Sequence, residues 1–401
     1  MPHELKSLGA PLSLAEPDEV GLAADRLQRL TDLLQSEIDG KRLPGAVALI
    51  ARDGKPAYFQ SLGVRNPESD APMRPDTIFR IYSMTKPMVS VAAMMLVEQG
   101  RLILSDPLPK YIPEFAHPQV AIERDGKVEL VPAERDITIQ DLLRHTSGLT
   151  YEFTGNSAVQ KMYVDAKIFR RDQTNADQAA ALAKLPLMHQ PGARWEYSRS
   201  TDVIGRVIEI VSGESLGEFL KTRVAGPLGM VDTDFVAEKH KHERLAEPFP
   251  QDPDTGAKVA LIPVREPPMF ESAGGGLVST AADYARFCQM LLDGGRLGAV
   301  RLLARKTVEH MTADHLGGIP GSPDLLPPGH GFGLGFAVRT HVGIATTPGS
   351  VGSYSWGGLA GTTFWIDPQE QLFAILLIQA PGQREHFRSV FRSLVYAALE
   401  E

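Results

Sequence analysis

Cysteine is almost absent from this chain, with one residue, Cys288, in 401. A single thiol excludes an intramolecular disulfide and any zinc site built from several cysteines. Cys288 lies in ADYARFCQMLLDGG, a helical pattern, and reads as a small buried apolar side chain. A basic block is also missing. Acids and bases are mixed along the chain and the formal net charge is -8, which argues against nucleic acid as a partner. No apolar run is long enough to span a bilayer. The first twenty residues, MPHELKSLGAPLSLAEPDEV, have no continuous apolar core of a signal peptide and read as an arm. The expectation is a soluble, cytoplasmic protein with no membrane association. What remains is ordinary: 43% hydrophobic and 22% charged residues, enough for a sizeable core in one large domain or two to three smaller ones.

Periodicity divides the chain into strand-bearing ends and a helical middle. Residues 24–38 place Leu27, Leu30, Leu33, Leu34 and Ile38 at helical spacing. GAVALIARDGKPAYFQSLGV then reads as two strands joined by Asp53-Gly54, a strong hairpin signal. From Met84 to Gln99 the pattern is helical and apolar, with Gly100 as the stop. Segments 137–143, 175–184 and 200–211 continue in helical style. SYSW, TTFWID and LFAILLIQ restore strand character, and REHFRSVFRSLVYAALE closes the chain as a helix. The expected fold is α/β (α+β), an antiparallel sheet flanked by helices plus a mostly helical lobe. Residues 1–86 and 271–401 would form the α/β domain and 87–270 the helical one, with a site in the cleft between them.

Two serine motifs compete for a catalytic reading. GESLG at 213–217 matches the nucleophile turn of α/β-hydrolases, but that motif needs a strand before it. Here Val203, Val207, Ile210 and Val211 share a helix face. Gly213 then reads as a helix stop, and Ser215 with Glu218 as the cap of the next helix. The second motif is SMTK at 83–86. Residues three apart on a helix share a face, so Lys86 can reach the Ser83 hydroxyl. A helix N-terminus favours a developing oxyanion. The following VSVAAMMLVEQG is apolar enough to be buried, which would desolvate Lys86 and lower its pKa towards that of a usable base.

SMTK, LLRHTSGL at 142–149, Tyr197-Ser198-Arg199 and Trp356-Gly357-Gly358 together resemble the serine β-lactamase and penicillin-binding-protein superfamily. Their order and spacing are most similar to its class C β-lactamase-like branch, and within it to the family VIII carboxylesterases. The resemblance runs from residue 46 to the last helix. It implies Ser83 as the acylated nucleophile, Lys86 as its base and Tyr197 as the proton-exchanging phenol. A nearby cation would lower the pKa of that tyrosine. It implies an oxyanion hole made of the backbone N–H groups of Ser83 and Leu359. Trp356, Gly357 and Gly358 would edge the substrate site, with the glycines letting backbone approach substrate. Tyr151 and Phe153 would line the acyl pocket.

Two departures from the β-lactamase pattern are compatible with an esterase and weaken a β-lactamase reading. Arg199 replaces an asparagine, and Trp356 replaces the lysine that helps hold an antibiotic carboxylate. The implied activity is hydrolysis of short- to medium-chain carboxylic esters through an acyl-enzyme, without metal or cofactor. The alternatives are a β-lactamase or D-Ala-D-Ala peptidase, an acyltransferase, and a non-catalytic scaffold. Three other features read as structural. His145 stabilises its own motif. His240-Lys241-His242 lies on a solvated, charged face without a ligand cluster. GHGFGLGF at 329–336 lacks the context of a phosphate loop and reads as a bend entering a strand.

Overall fold

The computed structural model describes residues 14–124, 127–321 and 325–400. Most of the expected N-terminal arm lies outside them; its last residues, Pro17–Val20, form a 3-10 turn. The organising element is an eight-stranded antiparallel sheet. Its strands are β1 (Gly45–Arg52), β2 (Lys55–Asn66), β3 (Ala71–Pro72), β4 (His330–Phe332), β5 (Ala337–Arg339), β6 (Tyr354–Gly357), β7 (Thr363–Asp367) and β8 (Leu372–Ile378). They lie in the order β4-β5-β6-β7-β8-β1-β2-β3, so the two ends of the chain meet where β1 pairs with β8, from Ala46 opposite Ile378 to Arg52 opposite Leu372. The β1–β2 turn is made by Asp53 and Gly54, both at positive φ (52° and 76°), as a two-residue hairpin turn of the right twist requires.

Side-chain alternation assigns the two sheet faces. Ala46, Ala48, Ile50, Ala374, Leu376 and Ile378 meet one core with Leu27, Leu30 and Leu34 of α1 (Ala24–Asp39) and with Phe387, Phe391 and Val395 of the C-terminal helix (Arg384–Ala397). Val47, Leu49, Ala51, Phe373, Ile375 and Leu377 meet the other core, with α2 (Thr85–Glu98) and the helix Ala281–Leu292. Strands β1 and β8 are thus buried on both faces, which is why they read as unbroken apolar runs. Helix α2 is buried nearly all round and packs against the helix Ser200–Ser212.

GESLG is a helix junction. Gly213 ends the helix Ser200–Ser212 at φ 80°, and the Ser215 hydroxyl accepts from the Glu218 N–H at 3.2 Å. The stretch read as mostly helical also carries an antiparallel hairpin, Gln119–Arg124 with Lys127–Pro132. A short ladder pairs Phe79–Arg80 with Val278–Ser279, and the Ile81 N–H donates to Leu277 O at 3.0 Å. That ladder brings Gly274 and its neighbours alongside the start of α2.

Candidate active site

Ser83 sits in a 3-10 turn, Tyr82–Met84, that runs directly into α2. Tyr82 holds φ 44°, an uncommon backbone state for a non-glycine residue, immediately before the serine. Ser83 is not a helix cap, because α2 begins after Met84 without a side-chain cap bond. Lys86 follows on the first turn and is 1% exposed. Its Nζ lies 3.2 Å from Ser83 Oγ, 3.0 Å from Tyr151 Oη and 2.6 Å from Gly274 O.

Those three contacts fit a neutral amine. Gly274 O can only accept. Two N–H groups serve Gly274 O and Tyr151 Oη, and the lone pair is left for the Ser83 proton. Burial pushes the Lys86 pKa down to about 7, against the attraction of Asp202 and with the help of Arg199. Gly274 must be glycine here, because a Cβ would stand 2.8 Å from Tyr151 Oη and about as close to the Asp202 carboxylate.

Tyr197 reaches the serine from the opposite side and donates to Ser83 Oγ at 2.7 Å. The HTSGL segment holds it there. The Glu196 N–H donates to His145 O at 2.8 Å, Ser147 Oγ meets Ser200 Oγ at 2.7 Å, and the Arg199 N–H donates to Thr150 O at 3.3 Å. His145 is buried, with Nδ1 3.2 Å from Ser198 Oγ and its ring 5.0 Å from that of Tyr197. Burial, and secondarily the Lys86 charge, hold its pKa well below the usual range. Near neutral pH it is an uncharged, buried group.

The protonation expected of Tyr197 requires correction. Burial raises its pKa above the ordinary tyrosine range, opposed by hydrogen bonds to Ser83 and Trp356. Lys86 lies over the ring face, 4.5 Å from its centroid, and makes no hydrogen bond to the phenol oxygen. The resting pair is therefore a phenol beside a lysine poised near neutrality. Trp356 Nε1–H donates to Tyr197 Oη at 3.2 Å. The chain of donors runs Trp356, Tyr197, Ser83 and then the Lys86 lone pair.

The glycines of Trp356-Gly357-Gly358 also differ from expectation. The space above each is filled by protein. A Cβ on Gly357 would meet the Arg388 guanidinium at 2.5 Å, and one on Gly358 would meet Thr362 Oγ1 at 2.3 Å and Ile81 O at 2.5 Å. Their absence of side chain admits neighbouring groups that clamp this strand end to the Ser83 turn. The Gly358 N–H donates to Thr362 O at 2.7 Å, and Thr362 Oγ1 donates to Ile81 O at 3.2 Å. Leu359 follows at the turn, 46% exposed, and no group among the described residues accepts from its N–H. Arg388 extends from the C-terminal helix to this strand end, where its Nη2 donates to Gly358 O at 2.6 Å.

Of the two residues expected to line the acyl pocket, Phe153 presents an open face. It is 59% exposed and stacks on Tyr151 at 4.7 Å. Tyr151 is buried, with its hydroxyl committed to Lys86. Arg199 is held by neighbouring side chains of its own cluster. It is paired with both carboxylate oxygens of Glu152 and, at 3.2 Å, with Asp202, and it lies over the Tyr151 ring. Asp202 in turn accepts from the Gly274 N–H at 2.8 Å. Sequence reasoning missed this Arg199–Asp202–Gly274 support; the triple glycine at 274–276 was its visible signal. His240 and His242 lie far along the chain in a surface 3-10 turn, with His240 73% exposed at its side chain. The whole site opens into a cleft of about 1330 Å³ lined by Ser83, Tyr197, Trp356, Leu359 and Phe153, among others.

Residues 30–397 match the Beta-lactamase family. Protein Rv1367c of Mycobacterium tuberculosis (strain ATCC 25618 / H37Rv) is 37% identical over 353 residues, 85% of this chain and 87% of its own length. Esterase EstB of Burkholderia gladioli is 33% identical over 399 residues, 94% of this chain and 96% of its own. Among solved structures, EstCE1, a hydrolase with promiscuous acyltransferase activity, superposes with a TM-score of 0.78 at 28% identity, over 92% of this chain and 98% of its own.

Proposed function

This chain belongs to the Beta-lactamase family, and from that premise we propose that it is a serine carboxylesterase acting on short- to medium-chain esters through an acyl-enzyme on Ser83. One observation carries the reading. The Ser83 hydroxyl lies 3.2 Å from a buried lysine whose pKa is about 7 and 2.7 Å from a phenol. Base and acid thus flank one nucleophile.

In the proposed acylation the Lys86 lone pair takes the Ser83 proton as Oγ attacks the ester carbonyl. The N–H groups of Ser83 and Leu359 receive the oxyanion. The C–O bond to the alcohol breaks and Tyr197 gives its phenol proton to the departing alkoxide. The phenolate left behind is stabilised by the Lys86 ammonium and the Trp356 N–H. In deacylation it takes a proton from water as water attacks the acyl carbon. Ser83 leaves and recovers its proton from Lys86. The resemblance to EstB supports an ester over a β-lactam, as does Trp356 in place of a lysine.

Acyl transfer to an alcohol is a second reading, favoured by the breadth of the cleft and the likeness to EstCE1. The test is a fluorophosphonate probe followed by peptide mass spectrometry, then kcat/KM for p-nitrophenyl butyrate against a cephalosporin, with and without added alcohols. The expected result is an adduct on Ser83 and faster ester turnover. Cephalosporin turnover equal to or faster than ester turnover overturns the esterase reading, and an ester product made with the added alcohol promotes the transferase.

A further inference from the structure

We propose that Arg388 is a positioning residue for catalysis: its guanidinium aims and polarises the Gly358–Leu359 peptide so that the Leu359 N–H serves as the oxyanion donor. The inference rests on the acyl-enzyme reading above and concerns how the second donor of that site is made.

The C=O of Gly358 and the N–H of Leu359 belong to one peptide unit. In a trans peptide they point in opposite directions, and no cis peptide occurs among the described residues. Whatever fixes the carbonyl therefore fixes the N–H. Arg388 Nη2 donates to Gly358 O at 2.6 Å, and the Gly361 N–H donates to the same oxygen at 3.1 Å. The carbonyl is held on the side of the C-terminal helix. The N–H is left to face away from it, with no acceptor among the described residues.

A full positive charge on the carbonyl oxygen also draws electron density through the amide and strengthens its N–H as a donor. The guanidinium is itself fixed at its other end, with Nη1 donating to Glu385 Oε1 at 2.9 Å. Room for it exists because residue 357 is glycine; a Cβ there would lie 2.5–2.8 Å from Nη2, Cζ and Nε. The rival role for the same group is direct contact with a substrate carboxylate. Arg388 Nε is buried without an acceptor among the described residues, so the test must separate the two.

The test begins with wild-type enzyme. Absence of a fluorophosphonate adduct on Ser83 defeats the acyl-enzyme reading itself, and the proposal falls with it. With that adduct in hand, Arg388→Ala and Gly357→Ala are compared with wild type. The first removes the guanidinium and the second displaces it while keeping its charge. Both are expected to lower kcat for p-nitrophenyl butyrate by roughly tenfold to a hundredfold, part of what losing a whole oxyanion donor costs. KM should stay within about threefold. Affinity for a boronic acid that forms a tetrahedral adduct on the serine should fall by the same factor as kcat. Added methylguanidinium should restore part of the Arg388→Ala loss. Unchanged kcat in both variants, on an enzyme that still labels at Ser83, overturns the proposal alone. So does a loss confined to KM for carboxylate-bearing esters. Should Arg388→Ala fail to fold, Gly357→Ala and Arg388→Lys carry the same comparison.

Discussion

Replacing Lys86 with methionine should remove a charge that the fold holds unfavourably, and the effect has a pH signature. The folded-state pKa is about 7 against an ordinary 10.5. One unit is roughly 1.4 kcal/mol, so below neutrality the buried ammonium costs about 5 kcal/mol relative to the unfolded chain. Between about pH 7 and 10.5 the unfolded lysine binds a proton that the folded one does not. Stability of the wild type therefore rises with pH across that window. From about pH 6 to about pH 9 this gain is about 2.7 kcal/mol. Lys86→Met has no titrating group there and lacks it. The variant also loses the bonds to Gly274 O and Tyr151 Oη. That loss is a constant offset, since burial holds Tyr151 far above this range. Urea unfolding of both proteins at both pH values gives the double difference, in which other titrating groups cancel. A wild-type advantage that does not grow with pH refutes a lysine desolvated to near neutrality.

The same group should set the pH–rate profile: ester kcat/KM is expected to rise through about pH 7 as Lys86 loses its proton and to level above it. Arg199→Gln should move that limb to higher pH, because Arg199 lowers the lysine pKa and screens the Asp202 charge that raises it; a limb that stays or moves down contradicts the pairing. Ser83→Ala should abolish ester hydrolysis while Ser215→Ala leaves it nearly intact, read by steady-state assay with circular dichroism as the folding control. Tyr197→Phe should lower kcat more than about a hundredfold. Trp356→Phe, which keeps the ring and removes the N–H on the Tyr197 oxygen, should cost about tenfold, in the range of one hydrogen bond to a charged group; near-normal turnover in Tyr197→Phe would make the tyrosine structural.

What the sequence made legible was local. The Asp53-Gly54 turn, the unbroken apolar strands and the helix-stop-cap reading of GESLG each depend on residues adjacent in the chain. So does the meeting of Ser83 with Lys86, fixed by three-residue spacing at a buried helix start. What was not legible depended on distant neighbours. The Tyr197 pKa turns on burial, and beside its own neighbour Trp195 that burial comes from Phe332 and Trp356, in segments remote from it in sequence. The glycines of the Trp356 motif could be seen to make room, but Arg388 and Ile81, which fill it, come from elements remote in sequence. The 119–132 hairpin carried its own Asp125-Gly126 signal. Its second strand is exposed at Lys127, Val128, Glu129 and Leu130, so no clean alternation of apolar and polar residues reinforced the turn.

The arrangement around Lys86 explains how one lysine can be both buried and useful. A buried ammonium with three acceptors would stay charged and could not take the Ser83 proton. Here one acceptor, Gly274 O, is a carbonyl whose peptide partner, the Gly275 N–H, donates to Ser272 O at 3.1 Å, while the Gly274 N–H donates to Asp202. Another, Tyr151 Oη, is a neutral phenol. Asp202, the carboxylate that raises the lysine pKa, is tied to Arg199. Two neutral acceptors satisfy the two N–H groups of an amine, and the third direction ends on Ser83 Oγ. Arg199 supplies the counter-charge that lets Asp202 hold the Gly274 N–H while its pull on the lysine's proton is offset. Charge balance two residues from Tyr197 is thus part of what sets the Lys86 pKa.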